Sequence, residues 1–194
     1  MRKDLIKTDL QSSFLSCEND TERILKKLLV ESRPYSDDLK RLLVINTKDC
    51  LDNKDNEKYN KKIKEMSIGK LFEEGYIRTT PKIMLGENEE VKTYIIITFD
   101  NFIPTDNPKF RDCTVHFDII CHTDCWDIGN YRLRPLKIAG FIDGILNNCK
   151  LTGIGTLQFS ACSEMILNDT LSGYSLIYTA THGSDDKIEN LGEE

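Results

Sequence analysis

The sequence predicts one α+β domain: a mixed, mainly antiparallel sheet packed against one main helix at about 133–148, with N-terminal helices and long polar loops. Three observations predict it. Between about 110 and 186 the apolar pattern reads strand, helix, strand, strand. Just before that, 91–99 is a strong strand whose residues Tyr94, Ile95, Ile96 and Ile97 form a buried-type run. And 194 residues support one good core, whereas two compact domains would be tight.

In chain order, 1–18 lead into the fold. Asn19, Asp20, Thr21 and Glu22 read as a capped helix start, a polar cap with Glu three residues on. Ile24, Leu25, Leu28 and Leu29 mark its apolar stripe, and Arg33-Pro34 ends it, because proline disfavours helical geometry in the residue before it. Ser36, Asp37 and Asp38 are expected to cap a second short helix carrying Leu39, Leu42 and Leu43. The two helices can form a hairpin, with Val44-Ile45 turning extended.

From 46 to 64 the chain is rich in Asn, Lys and Asp, and reads as an exposed polar insertion, either a loop or a solvated helix around 57–66. Residues 77–85 suit an edge strand interrupted by Pro81, and 86–90 a turn. Pro104 and Pro108 make 101–109 a loop within a long 100–112 connection, across which 91–99 and 113–122 pair as antiparallel neighbours.

In 113–122, Val115, Phe117, Ile119 and Cys121 alternate with His116, Asp118, Ile120 and His122, and the odd set is expected to face the core. In the helix, Leu136, Ala139, Ile142 and Leu146 form the stripe, widened by Ile138, Phe141 and Ile145, and Asn147-Asn148 suits its end. Residues 151–162 read as a strand with Gly153 and Gly155 near its start, 164–172 as a connecting segment, and 173–181 as the last strand. An acidic, mobile tail at 184–194 is expected to close the chain.

Composition narrows function. No apolar run approaches the roughly 18 residues of a membrane span. The first residues are basic without an apolar stretch after them, which predicts no signal peptide and an intracellular aqueous location. Seven cysteines, an odd number without a secretory signal, are read as reduced thiols. The net charge of −6 disfavours sequence-specific nucleic-acid binding, since the one lysine excess, 58–70, is interrupted by acids. An acidic surface near DNA remains compatible, because a lumen of carboxylates repels phosphate.

The most site-like motif is Cys121-His122-Thr123-Asp124-Cys125. Cysteine and histidine are good zinc ligands, but a structural zinc site wants two ligand pairs, and a strand would point Cys121 and His122 to opposite faces. A cysteine nucleophile would need a positioned base, and the spacing selects none of His116, His122 or His182. Gly140-x-x-x-Gly144 suits close approach of the helix to the sheet, and Gly153-x-Gly155, which lacks the third glycine and the following helix of a dinucleotide loop, reads as a strand-end turn. No P-loop, HExxH or nucleophile elbow is present. The reading is therefore non-enzymatic, with no catalytic residue, cofactor or metal. Interface candidates are Trp126, the only tryptophan, with Tyr94, Phe102, Lys61 and Lys62.

The segment 110–182 resembles tail terminator proteins of long-tailed bacteriophages, small α+β ring-forming proteins at the head–tail joint. The resemblance rests on the 114–121 strand, the polar linker, the 134–146 helix and the closing strands ending in 174–178, with the earlier helix near 21–32 and the 94–99 strand. The 46–64 insertion and the 100–112 loop depart from that compact pattern. The resemblance implies a hexameric ring in the virion neck, assembled in the host cytoplasm. Such a ring caps the tail tube protein, docks on the head connector or stopper protein, and passes DNA through its lumen without sequence-specific binding or membrane contact. Alternatives are another head completion or head–tail adaptor protein, a small thiol or metal enzyme centred on Cys121, His122 and Cys125, or an adaptor that binds a peptide at its sheet edge.

Overall fold

The computed structural model describes residues 17–80, 90–106, 110–130 and 132–183, except the side chains of 17, 18, 182 and 183. The expected 1–18 lead-in up to residue 16, the 81–85 part of the expected edge strand with Pro81, the turn at 86–90 up to residue 89, residues 107–109 of the expected loop with Pro108, and the acidic tail lie outside the described residues.

Two helical segments open the fold: α1 (Cys17–Lys26), continued by a π-helical turn (Lys27–Glu31), and α2 (Tyr35–Val44). Ile24, Leu25, Leu28 and Leu29 are buried, as their spacing demands, and so are Leu39, Leu42 and Leu43. The expected caps differ. α1 already runs through Asn19, and Asp20 is fully buried, paired with Arg23 at 3.1 Å. Ser36 lies inside α2, which no side chain caps. In both places tertiary packing outweighs the local preference of a polar residue for a helix end.

The 46–64 segment is not simply an exposed insertion. Asn56 caps α3 (Glu57–Glu65) with its side chain, accepting from the amides of Lys58 and Tyr59. Cys50, Leu51 and Ile63 are buried in the main core, and the Lys62 amine donates to the carbonyl of Val44 at 3.0 Å. A short α4 (Ile68–Glu73), capped by Ser67, leads into the sheet.

The sheet has the order β1-β2-β3-β7-β6. β1 (Ile77–Arg78) is a two-residue parallel edge against β2 (Thr93–Pro104), which pairs antiparallel with β3 (Phe110–His122). β7 (Leu171–Gly183) pairs with β3 along its length, and β6 (Gln158–Ile166) closes the far edge. The long 100–112 loop is not there: β2 continues to Pro104 across an irregularity between Asp100 and Ile103, and Asn101 takes up a φ of 51°. Pairing with β3 overrides the loop-like composition, and asparagine tolerates that left-handed backbone better than most residues.

Val115, Phe117, Ile119 and Cys121 are fully buried on the helix-covered face. α5 (Arg134–Leu146) packs there over β3 and β7. Its buried arc is Pro135, Ile138, Ala139, Ile142 and Leu146; Leu136, expected in the stripe, lies beyond the rim and is exposed. The expected 151–162 strand is broken into a small hairpin, β4 (Lys150–Leu151) and β5 (Gly155–Thr156), and then β6. The break sits at Gly153, with φ 88°; a Cβ there would collide with the Arg23 guanidinium, which donates to Thr152 O at 2.9 Å. The expected 164–172 connection is mostly strand, since β6 reaches Ile166 and β7 starts at Leu171.

One side chain ties these parts together. Arg134, at the start of α5, is fully buried and donates to four backbone carbonyls: Cys125 (2.6 Å), Leu42 (2.5 Å), Ile45 (2.8 Å) and Thr47 (3.0 Å). Its guanidinium holds the C-terminal end of α2, the chain after it and the turn before α5 against each other.

Replacing Arg134 with Met strips a donor from four carbonyls at once and is expected to cost about 3–5 kcal/mol. Arg134→Lys is expected to recover little, because one ammonium cannot match the fork of a guanidinium. Denaturant unfolding of the three proteins checks both. Gly173→Ala is a second test of packing: a Cβ there would run into the Ile119 carbonyl of β3. That variant should lose about 3 kcal/mol or more, as other steric overlaps in closely packed interiors do.

Candidate functional site

The Cys121, His122, Cys125 motif does not assemble. Cys121 points into the core, and burial pushes its thiol up to about 12. Cys125, in the 3₁₀ turn Thr123–Cys125, is fully buried and donates to the His122 carbonyl at 3.3 Å. The His122 ring lies on the other face of β3, where its Nδ1 accepts from the Asp124 amide at 3.1 Å and caps the turn. Strand alternation thus separates the thiol from the imidazole, and each performs a structural task. Among the described residues no group of three His, Cys, Asp or Glu side chains is placed to hold a metal.

Polar side chains do gather on the second face of the sheet, which no described helix covers. Ser175 donates to Asp118 at 2.5 Å and Thr181 to Asp112 at 2.7 Å; each pair stands directly opposite across β3 and β7. His116 Nε2 lies 3.2 Å from Asp100 Oδ1. The signal for these groups was present as the even-numbered positions of the β3 alternation, but their partners on β2 and β7 come only from register. The pairs are cross-strand contacts of hydroxyl and carboxylate within the sheet. At one end of this face an open cleft of about 540 Å³ is lined by Asn101, Asp112, Thr114, Gln158, Thr179 and Thr181.

Besides Val30, Val91, Ile103 and Phe110, exposed large apolar side chains fall on two other surfaces. The first is the outer arc of α5, opposite its buried arc: Leu133, Leu136, Lys137, Gly140 and Gly144 follow one another at three- and four-residue spacing. Tyr35, 53% exposed, extends it, its ring 5.9 Å from that of Phe141. The second is the β6 edge. Its outer side has no partner strand among the described elements, and it carries Phe159 and Ile166, the latter 73% exposed, with Leu167 just beyond. β6 contains no proline or lysine, and Glu164 is its single charge. The wide apolar stripe of α5 suggested burial of much of its circumference, and β6 was divided between the expected 151–162 strand and the expected 164–172 connection, so neither surface stood out in the sequence.

The five interface candidates fall elsewhere. Trp126 is half-buried, its ring 6.4 Å from that of Tyr174, and Phe102 packs partly buried against the core. Tyr94 is buried in a small cluster with Ile96, Ile120 and Leu171, with the Arg78 guanidinium over its ring at 5.0 Å. Lys61 and Lys62 lie on α3, Lys61 facing solvent and Lys62 held to Val44. Among the described residues no helix is long and apolar enough to cross a membrane.

The profile of the YomW family matches residues 36–180, well over half of the chain, and takes in everything from α2 to the end of the core-facing part of β7. The chain belongs to the YomW family. No curated protein matches it.

The Cys121 thiol gives a pH prediction. Its folded pKa lies above its ordinary value of 9.0, so the folded state keeps a proton that the unfolded state releases. Stability from this group is whole below about pH 9 and falls as pH rises towards about 12. Unfolding measured across that window should show a shallower decline for Cys121→Ala than for the unaltered protein. An equal decline in the two proteins would exclude this thiol as the cause.

Proposed function

We propose that this YomW-family protein is a structural component of a phage neck: a tail terminator whose hexameric ring ends the tail tube and joins it to the head connector. The observation that carries the reading is the pair of different exposed apolar surfaces, α5 and the β6 edge, on a body in which Cys121 and Cys125 are packed in the core and His122 caps a turn. A contact between two unlike surfaces leaves one of each free on every copy, so it propagates and closes when the rotation allows. The YomW name is a phage-associated one, in keeping with this role. So is the net charge of −6, which lets DNA phosphates slide past rather than adhere. The protein acts without cofactor or catalysis, in the virion.

A second reading, an adaptor that takes a partner peptide as an added strand, is favoured by the unpaired outer side of β6.

Electron microscopy and native mass measurement of the purified protein, alone and with tail tube or connector proteins, are expected to find closed rings with a central opening. A protein that stays strictly monomeric beside those partners would defeat the ring. Stoichiometric capture of a single extended peptide along β6, with no self-assembly, would favour the adaptor.

A further inference from the structure

Two charges stand unpaired inside the two apolar surfaces, and they are opposite. On α5, Lys137 sits among Leu133, Leu136 and Gly140, its amine 4.9 Å from the centre of the Phe141 ring, and no described carboxylate pairs with it. On β6, Glu164 lies between Phe159 and Ile166, and no described cation pairs with it. Other exposed charges are paired within the chain, among them Lys26 with Glu22, Lys48 with Asp127, Lys54 with Asp38 and Arg132 with Asp52, while several lysines of α3 are, like Lys137, without an ion pair among the described residues.

We propose that the outer arc of α5 on one copy of this chain docks on the β6 edge of the next copy, with Lys137 of the first pairing Glu164 of the second. This rests on the ring reading and names its contact. The occupant of each surface is a second copy because each supplies what the other lacks. One offers exposed leucines with a cation, the other an exposed phenylalanine and isoleucine with an anion. Shape supports the match. A Cβ on Gly140 or Gly144 would meet nothing within 4 Å, so the helix backbone lies bare along the arc and a strand edge can approach it closely. The contact is heterologous, since it joins different patches, and a ring requires that. An isologous pairing of β6 with β6 centred on Glu164 would set two like charges directly opposite, which is unfavourable.

The test is charge reversal. Lys137→Glu and Glu164→Lys should each raise the concentration needed for self-assembly by at least about tenfold, since like charges facing across an interface cost at least the 1.4 kcal/mol of one decade. The double variant should return to within about threefold of the unaltered protein, and an equimolar mixture of the two single variants should also reassemble, each supplying the complement of the other. Circular dichroism and unfolding midpoints confirm that all variants fold, as expected for exposed positions. Rings indifferent to both reversals would overturn this contact and leave the ring reading standing. Loss in the single variants without recovery in the double or the mixture would overturn the pairing. Open chains or dimers that show the same loss and recovery would uphold the contact and defeat the closed ring. A monomer at every concentration would defeat both.

Discussion

The fold depends on a buried cation that no described carboxylate neutralises. Arg134 is fully enclosed, and the charge is met by four backbone carbonyls rather than by an acid. Desolvating a guanidinium costs several kcal/mol, and charge-assisted hydrogen bonds to fixed dipoles are the means of offsetting it. Two of those carbonyls, Leu42 and Ile45, belong to the C-terminal end of α2, where the helix leaves its last oxygens without amide partners and its dipole is negative. The arginine therefore caps one helix while starting another. It also fixes the order of assembly in space: N-terminal helices, pre-α5 turn and α5 must meet before the charge is satisfied. Once they do, α5 can lie only one way over β3 and β7, and its outer arc is defined by the same choice.

That constraint was almost invisible in the sequence. Arg132 and Arg134 are two residues apart and chemically identical, yet Arg132 pairs with Asp52 at the surface while Arg134 is in the core. The one local hint is that a cation in the first turn of a helix opposes the helix dipole, so it must be aimed at something else. By contrast the β3 alternation was legible, because a strand with one covered face leaves a period of two that nothing local disturbs. The N-terminal stripe was legible for the same reason at a period near four. Composition misled where pairing partners decided the outcome. Asp100-Asn101 looks like a loop and is strand, because β3 supplies the ladder. Gly153 stands in the turn that its spacing from Gly155 suggests, and Arg23 occupies the space a side chain there would take.

The candidate surfaces were hidden by a related ambiguity. α5 has apolar residues around much of its circumference, so periodicity allowed more than one buried arc. The sheet resolves it, burying Ile138, Ala139, Ile142 and Leu146 and turning Leu136 outward. In the Cys-His-Cys motif the residue types suit metal binding, but the strand spacing argues against it. A one-residue step along a strand reverses the face, so Cys121 and His122 were never able to share a ligand. The same step that removes a metal site gives the thiol a dry core and the imidazole a capping role.

The two faces of the sheet explain why the proposed contact is assigned to α5 and β6. The second face holds Asp118 and Asp112 in hydrogen bonds from the opposite hydroxyls of β7, which fix these carboxylates within the sheet. The helix-covered face is closed by Phe117, Ile142 and Tyr178, whose phenol donates to Asp143 on α5 at 3.0 Å. What remains is the outside of the helix and the end of the sheet. On a chain carrying a net charge of −6, copies repel at long range, so a contact between them must be short-ranged and largely apolar, with few charges to misplace. One lysine and one glutamate, each set in its own apolar patch, meet that requirement. In the proposed contact they would add direction to an association whose strength comes from the leucine, phenylalanine and isoleucine around them, and would discriminate against the symmetric pairings that end growth at a dimer.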